Sequence, residues 1–108
     1  MNHFELPQLS TQRKKARDIW LEFLRVPSLR AGIYELPAGE IDPQQPHTED
    51  EIYYVASGRG VIRIDSEDWP VQTGSVVFVP AGVDHHFHTI TEDLTLLVVF
   101  ARKGAPEP

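Results

Sequence analysis

The sequence predicts an all-β sandwich or small barrel, on three observations. Seventeen Val and Ile are spread over 108 residues, the apolar segments are short, and Gly and Pro recur between them as punctuation. Only residues 8–18 are compatible with a helix, and that helix is short. A chain of this length supports one hydrophobic core, so residues 1–108 read as a single domain with an N-terminal arm over 1–18 and a frayed tail over 104–108.

After the arm, strands are expected at Ile19–Val26, Leu29–Leu36, Glu51–Ser57, Val61–Asp65, Trp69–Gln72, Ser75–Val79, His85–Ile90 and Leu94–Ala101. Each break has a local cause. Pro27-Ser28, Pro37-Ala38-Gly39, Ser57-Gly58-Arg59-Gly60, Ser66-Glu67-Asp68, Thr73-Gly74 and Pro80-Ala81-Gly82 supply a fixed φ, a positive φ or a side chain that bonds its own backbone. A small barrel needs bulky filling, so Trp20, Phe23, Tyr34, Tyr53, Phe78, Phe87 and Phe100 are expected in the core.

Charge and composition exclude several classes of function. The net charge is −6, and four of the ten cations (Arg13, Lys14, Lys15, Arg17) crowd one segment. An acidic body with one small basic run lacks the positive footprint a nucleic-acid partner requires, and the run reads as a solvated turn or short helix. No apolar run approaches the length of a membrane span, and the start, MNHFELPQLS, has neither a cationic nor an apolar signal region. A soluble cytoplasmic protein is the expectation. With no cysteine, any metal must be held by His, carboxylate or amide oxygen. A Gly-rich phosphate loop, a G-x-S-x-G elbow and a recognisable glycosidase carboxylate pair are all absent from the sequence, which disfavours phosphoryl transfer and serine hydrolysis.

Four of the five histidines fall in two places: His47, within Gln45-Pro46-His47-Thr48-Glu49-Asp50-Glu51, and His85, His86 and His88, after Pro80-Ala81-Gly82. A divalent ion needs imidazole nitrogens and carboxylate oxygens converging from separate segments, which a barrel provides when alternate side chains point inward. In an extended segment Gln45 and His47 share a face, and after a turn at Thr48-Glu49-Asp50, Glu51 leads a strand whose Tyr53 and Val55 share its parity. Later, His85, Phe87 and Thr89 lie on one side and His86 and His88 on the other, expected at solvent or a subunit contact. Tyr53 and Phe87 are candidate pocket walls. A lone histidine is most often a polar surface residue, but Glu51 opens the apolar run Ile-Tyr-Tyr-Val-Ala, where a carboxylate is costly to bury unless paired or metal-bound.

These spacings resemble the cupin superfamily. Its first motif, G-x5-H-x-H-x3,4-E-x6-G, is similar to Gly39 followed by Gln45-x-His47-x3-Glu51-x6-Gly58. The second, G-x5-P-x-G-x2-H-x3-N, is similar to Gly74-x5-Pro80-x-Gly82-x2-His85-x3-Thr89. The resemblance implies a double-stranded β-helix, a jelly-roll-like barrel with a short N-terminal segment and a metal at its centre. The implied ligands are His47, Glu51 and His85, with Gln45 where the family has its first histidine. An amide oxygen is a weaker donor to zinc or nickel than imidazole, so Gln45 is either a ligand or a neighbour of the ion. Two histidines and one carboxylate leave coordination positions open, which suits iron(II) and dioxygen or a zinc with bound water; manganese and nickel are further candidates.

Two functions are expected to compete: a metal-dependent enzyme (dioxygenase, isomerase or lyase) acting on a small polar molecule, and a non-catalytic module that binds a small ligand or metal. The apolar segment Ile19-Trp20-Leu21-Glu22-Phe23-Leu24 presents an edge that needs cover, so a homodimer is expected.

Overall fold

Two long strands stand where the sequence predicts four short ones. The computed structural model describes residues 2–43 and 46–102; Gln45 and the tail over 104–108 lie outside the described residues. In chain order the elements are α1 (Leu6–Ala16), β1 (Trp20–Arg25), β2 (Leu29–Leu36), β3 (Glu51–Ile64), β4 (Glu67–Gln72), β5 (Val76–Val79) and β6 (His85–Ala101). Neither expected break, over residues 58–60 or over 91–93, ends a strand: β3 kinks within the first, and β6 kinks two residues ahead of the second. Gly58 takes φ 103° and Thr89 φ 49°, and the side-chain parity reverses at each.

Glu51, Tyr53 and Val55 point inward before Gly58, and Gly60 and Ile62 after it. His85 and Phe87 point inward before Thr89, and Ile90, Leu94, Leu96, Val98 and Phe100 after it. Thr89 therefore does not share a face with His85, as simple alternation predicts; it is exposed. A Cβ at position 58 would stand 2.2 Å from the Asp93 carbonyl oxygen. Only glycine fits there with the strands this close.

The remaining departures are smaller. The helix begins and ends two residues before the expected 8–18, because Pro7 suits its first turn and Arg17 stops it in a left-handed cap with φ 56°. The turn before β4 is made by Asp65-Ser66, with Asp65 at φ 56°, so β4 starts at Glu67 and not at Trp69. β5 starts at Val76, one residue later than expected. Phe78 is not in the core. It alternates with buried Val79 and faces outward beside its cross-strand partner Ile52.

All strand pairs are antiparallel. The sheet runs β1-β2-β6-β3-β4, with β5 also paired to β3, as a jelly-roll barrel requires. In the β3–β6 ladder Glu51 lies opposite Phe100 and Ile64 opposite His85. A flat strand rising about 3.3 Å per residue would separate the two ends of β3 by roughly 43 Å. The side chains of Glu51 and His85 nevertheless touch. The ladder folds over on itself at the register shifts between Val55 and Val61, and the enclosed faces form the core: Tyr53, Val55, Ile62, Val71, Phe87, Leu94 and Leu96 among others. The described residues contain no helix long and apolar enough to cross a membrane.

Thr89 is a β-branched residue in the left-handed region, which costs an L-residue about 1–2 kcal/mol and which Asn tolerates better. Thr89→Asn should therefore raise stability by about 0.5–1 kcal/mol in urea unfolding. A lower midpoint at unchanged slope would show that the Thr89 hydroxyl, 3.0 Å from His88 Nδ1, matters more than the backbone.

Candidate metal centre

The candidate ligands are carried by one loop and two strand starts, and hydrogen bonds fix that loop to the turn before β6. The Gly82 N–H donates to the His47 carbonyl at 2.7 Å, and the Ala81 N–H donates to Asp50 Oδ1 at 2.8 Å. The turn Pro80-Ala81-Gly82 thus clamps the segment carrying His47 next to the start of β6. Asp42 holds the same segment from its other side: its carboxylate accepts from the Tyr34 hydroxyl at 2.5 Å and from the Phe87 N–H at 2.8 Å. Burial first, then this carboxylate, pushes the Tyr34 phenol far above its ordinary value, so Tyr34 stays protonated.

Glu51 and His85 meet at the bottom of the fold, both side chains about 1% exposed, with Oε1 and Nε2 2.6 Å apart. His85 Nδ1 lies 2.9 Å from the Val83 carbonyl, which can only accept, so Nδ1 carries a proton. Nε2 then faces Glu51 Oε1 and, at 3.1 Å, the Tyr53 hydroxyl oxygen. A lone pair on Nε2 against a carboxylate is repulsive; the geometry makes sense with a proton on Nε2 or with a cation bridging the two groups. Apart from the His85 imidazole, neither buried Glu51 oxygen has a hydrogen-bond partner among the described residues. Burial alone would lower the His85 pKa, but Glu51, then Val83, outweigh it and raise the imidazole above its usual range.

One ligand atom each from His47, Glu51 and His85 lies within 4.8 Å of the others. Donor set, orphaned carboxylate and pre-set imidazole tautomer all fit a divalent cation. Tyr53 and Phe87, expected as pocket walls, are buried in the core with their rings 5.0 Å apart and edge to face. His86 is exposed, and His88 sits half-buried in a 2.9 Å pair with Asp68 on β4, away from the group. Gln45 lies outside the described residues.

Sequence reasoning passed over Asp42 and Arg30. Asp42 is a single acid between Ile41 and Pro43 with no partner at a telling spacing. Arg30 reads as an ordinary outward charge, yet it joins Glu49 at 2.8 Å and Glu22 at 3.1 Å. Thr48-Glu49-Asp50 is accordingly more than a solvated turn. The basic run over Arg13–Arg17 is mostly exposed helix surface, apart from Arg13, which is paired with Glu35.

Residues 32–100 match the cupin domain family. An uncharacterized protein of Streptomyces coelicolor is 48% identical over 101 residues, covering 94% of this chain and 96% of that protein. The oxalate-binding protein of Thermotoga maritima is 33% identical over 64 residues, 58% of this chain and 53% of that protein. Among solved structures, the TT1209 protein of Thermus thermophilus superposes with a TM-score of 0.76 at 24% identity, covering 94% of this chain and 98% of that one.

The raised His85 pKa sets the sign of a pH effect. A group whose pKa is raised by folding stabilises the fold below its unfolded value, about 6.5, and that contribution is lost as pH rises through the folded value. The melting temperature of protein held in EDTA should therefore fall as pH is raised from about 6.5. With saturating zinc the trend should reverse, because the ion competes with the proton on Nε2. An EDTA-treated protein whose melting point climbs over this range would contradict the protonated pair.

Proposed function

The chain belongs to the cupin family, and from that premise we infer that it is a small metal-dependent enzyme, of the dioxygenase or isomerase and lyase kind, acting on a small polar molecule in the barrel. The Glu51 carboxylate carries this reading. It is buried, and its one polar neighbour among the described hydrogen bonds and ion pairs is an imidazole whose other nitrogen is already committed to Val83. An ion held by His47, Glu51 and His85, whether iron, zinc, manganese or nickel, would supply Lewis acidity and open positions for an oxygen donor when bound. Gln45 is assigned to the same centre as a weak oxygen donor, on its spacing to His47 alone. Tyr53 contributes a polar group beside the ligands, and Phe87 backs it.

A second reading, a non-catalytic binder of a small ligand or metal, is favoured by the similarity to a protein named for binding oxalate. Oxygen consumption and product analysis by NMR, run on the iron-loaded and zinc-loaded protein with small acids and alcohols, separate the two: saturable binding with neither oxygen uptake nor product supports the binder.

A second copy of this chain is the proposed partner, seated on β1. That strand is an edge of the sheet among the described residues, and its Leu21, Phe23 and Leu24 are only half-buried. Light scattering at micromolar concentration should give twice the chain mass of 12.2 kDa; a monomer would reject the pairing.

Elemental analysis should find close to one divalent ion per chain. His47→Ala, Glu51→Gln and His85→Ala should each lower zinc affinity by 100-fold or more, as removal of a ligand exceeds the ~10–100-fold typical of outer-shell losses. Gln45→Ala should cost within that smaller range, and Gln45→His should tighten binding. His86→Ala should leave metal content unchanged; loss of metal there but not in His85→Ala would mean that the register of β6 is misassigned.

A further inference from the structure

Beside the candidate centre lies a cavity of about 230 Å³, lined by Ile19, Trp20, Tyr34, Pro43, Val98 and Phe100 together with His47 and Arg30. His47 belongs to both the cavity and the metal group, and its ring packs 4.9 Å from that of Phe100. A ligand in the cavity is therefore within reach of the ion's open positions.

Arg30 looks like an anion anchor but is not available as one. Its Nε and Nη2 donate to Glu49 at 2.8 and 2.9 Å, and its Nη1 donates to Glu22 at 3.1 Å. The guanidinium carbon stands 3.8 Å over the Phe100 ring. With two carboxylates against it, the group offers a ligand a fixed planar surface and little net charge. The Tyr34 hydroxyl is likewise engaged, donating to Asp42. What the wall has left to offer is apolar and aromatic surface.

Three rings define that surface. Trp20 meets Phe100 and Tyr34 edge to face, with centroids 6.0 and 6.4 Å away. Gly32 makes room for the indole, since a Cβ there would stand 2.4 Å from Trp20 Cη2. Size narrows the occupant further. A benzene ring fills an engineered cavity of about 150 Å³, so 230 Å³ is matched in size by one ring with a small substituent.

Resting on the reading that His47, Glu51 and His85 hold a divalent ion, we propose that this cavity selects a substrate with a single-ring or equally compact apolar body, its oxygen-bearing head directed to the ion. A wholly polar molecule such as a short dicarboxylate would leave the aromatic wall unused. The specificity-determining residues are Trp20 and Phe100, and Gly32 positions Trp20.

Calorimetric titration of the zinc-loaded full chain with benzoate and with acetate tests this, because the two share a head group and differ by the ring. Benzoate should bind at least tenfold more tightly, the scale of burying a phenyl-sized apolar group. Trp20→Ala should remove most of that advantage while leaving acetate affinity and zinc content unchanged. If Trp20→Ala fails to fold, Ile19→Phe, which fills the cavity from the opposite end of the residue sizes, should do the same. Equal affinities for the two acids, or a benzoate advantage that survives in the folded variants, overturn the proposal with the metal centre intact. A folded protein that takes up no zinc overturns the metal reading, and the proposal with it.

Discussion

The contact between Glu51 and His85 closes the molecule. These residues start the two strands that form the longest ladder of the sheet, and along that ladder they belong to opposite ends. They touch only because the ladder bends back on itself. A carboxylate buried to this degree, with no hydrogen-bond partner but that imidazole among the described residues, repels the fold unless a proton or cation sits against it. The charge state of this pair therefore bears on the shape of the whole barrel, and a bound ion would act on stability as well as on chemistry.

The surrounding structure keeps the pair in place through short, local ties. Asp50 and the His47 carbonyl hold the Pro80-Ala81-Gly82 turn, Val83 sets the tautomer of His85, and Asp42 joins the His47 segment to Tyr34 and to the β6 backbone at Phe87. None of these ties involves a long flexible side chain. That matters because a metal site needs its donors held to within fractions of an ångström.

The convergence of His47, Glu51 and His85 was legible in the sequence because its signals are spacings: Glu51 opens an apolar run, His47 lies a short turn before it, and His85 follows a Pro and Gly turn. The continuity of β3 and β6 was not legible. Gly58 reads as a turn and Thr89 as an ordinary strand residue on the face of His85, and only the tertiary register shows a kink with the strand continuing through each. The outward aim of Phe78 was hidden for a related reason, since an aromatic side chain signals burial but not the face of the strand it occupies. Asp42 and Arg30 have partners 8 and 45 residues away in the first case and 8 and 19 in the second. Such pairings leave no local pattern.

The division of labour among the strands has an evolutionary consequence. The hairpin of β1 and β2, with the residue just before it, supplies Ile19, Trp20, Arg30 and Tyr34 to the cavity, whereas the candidate ligands come from the loop before β3 and the starts of β3 and β6. The hairpin joins the rest of the sheet through β2 alone. Tyr34 and Arg30 are tied through Asp42 and Glu49 to the segment that carries His47, whereas Ile19 and Trp20 line the cavity without such a tie to it. Descendants of this chain could thus acquire new ligand preferences by changes at Ile19 and Trp20, while the candidate ligands and the bonds that place them stay as they are.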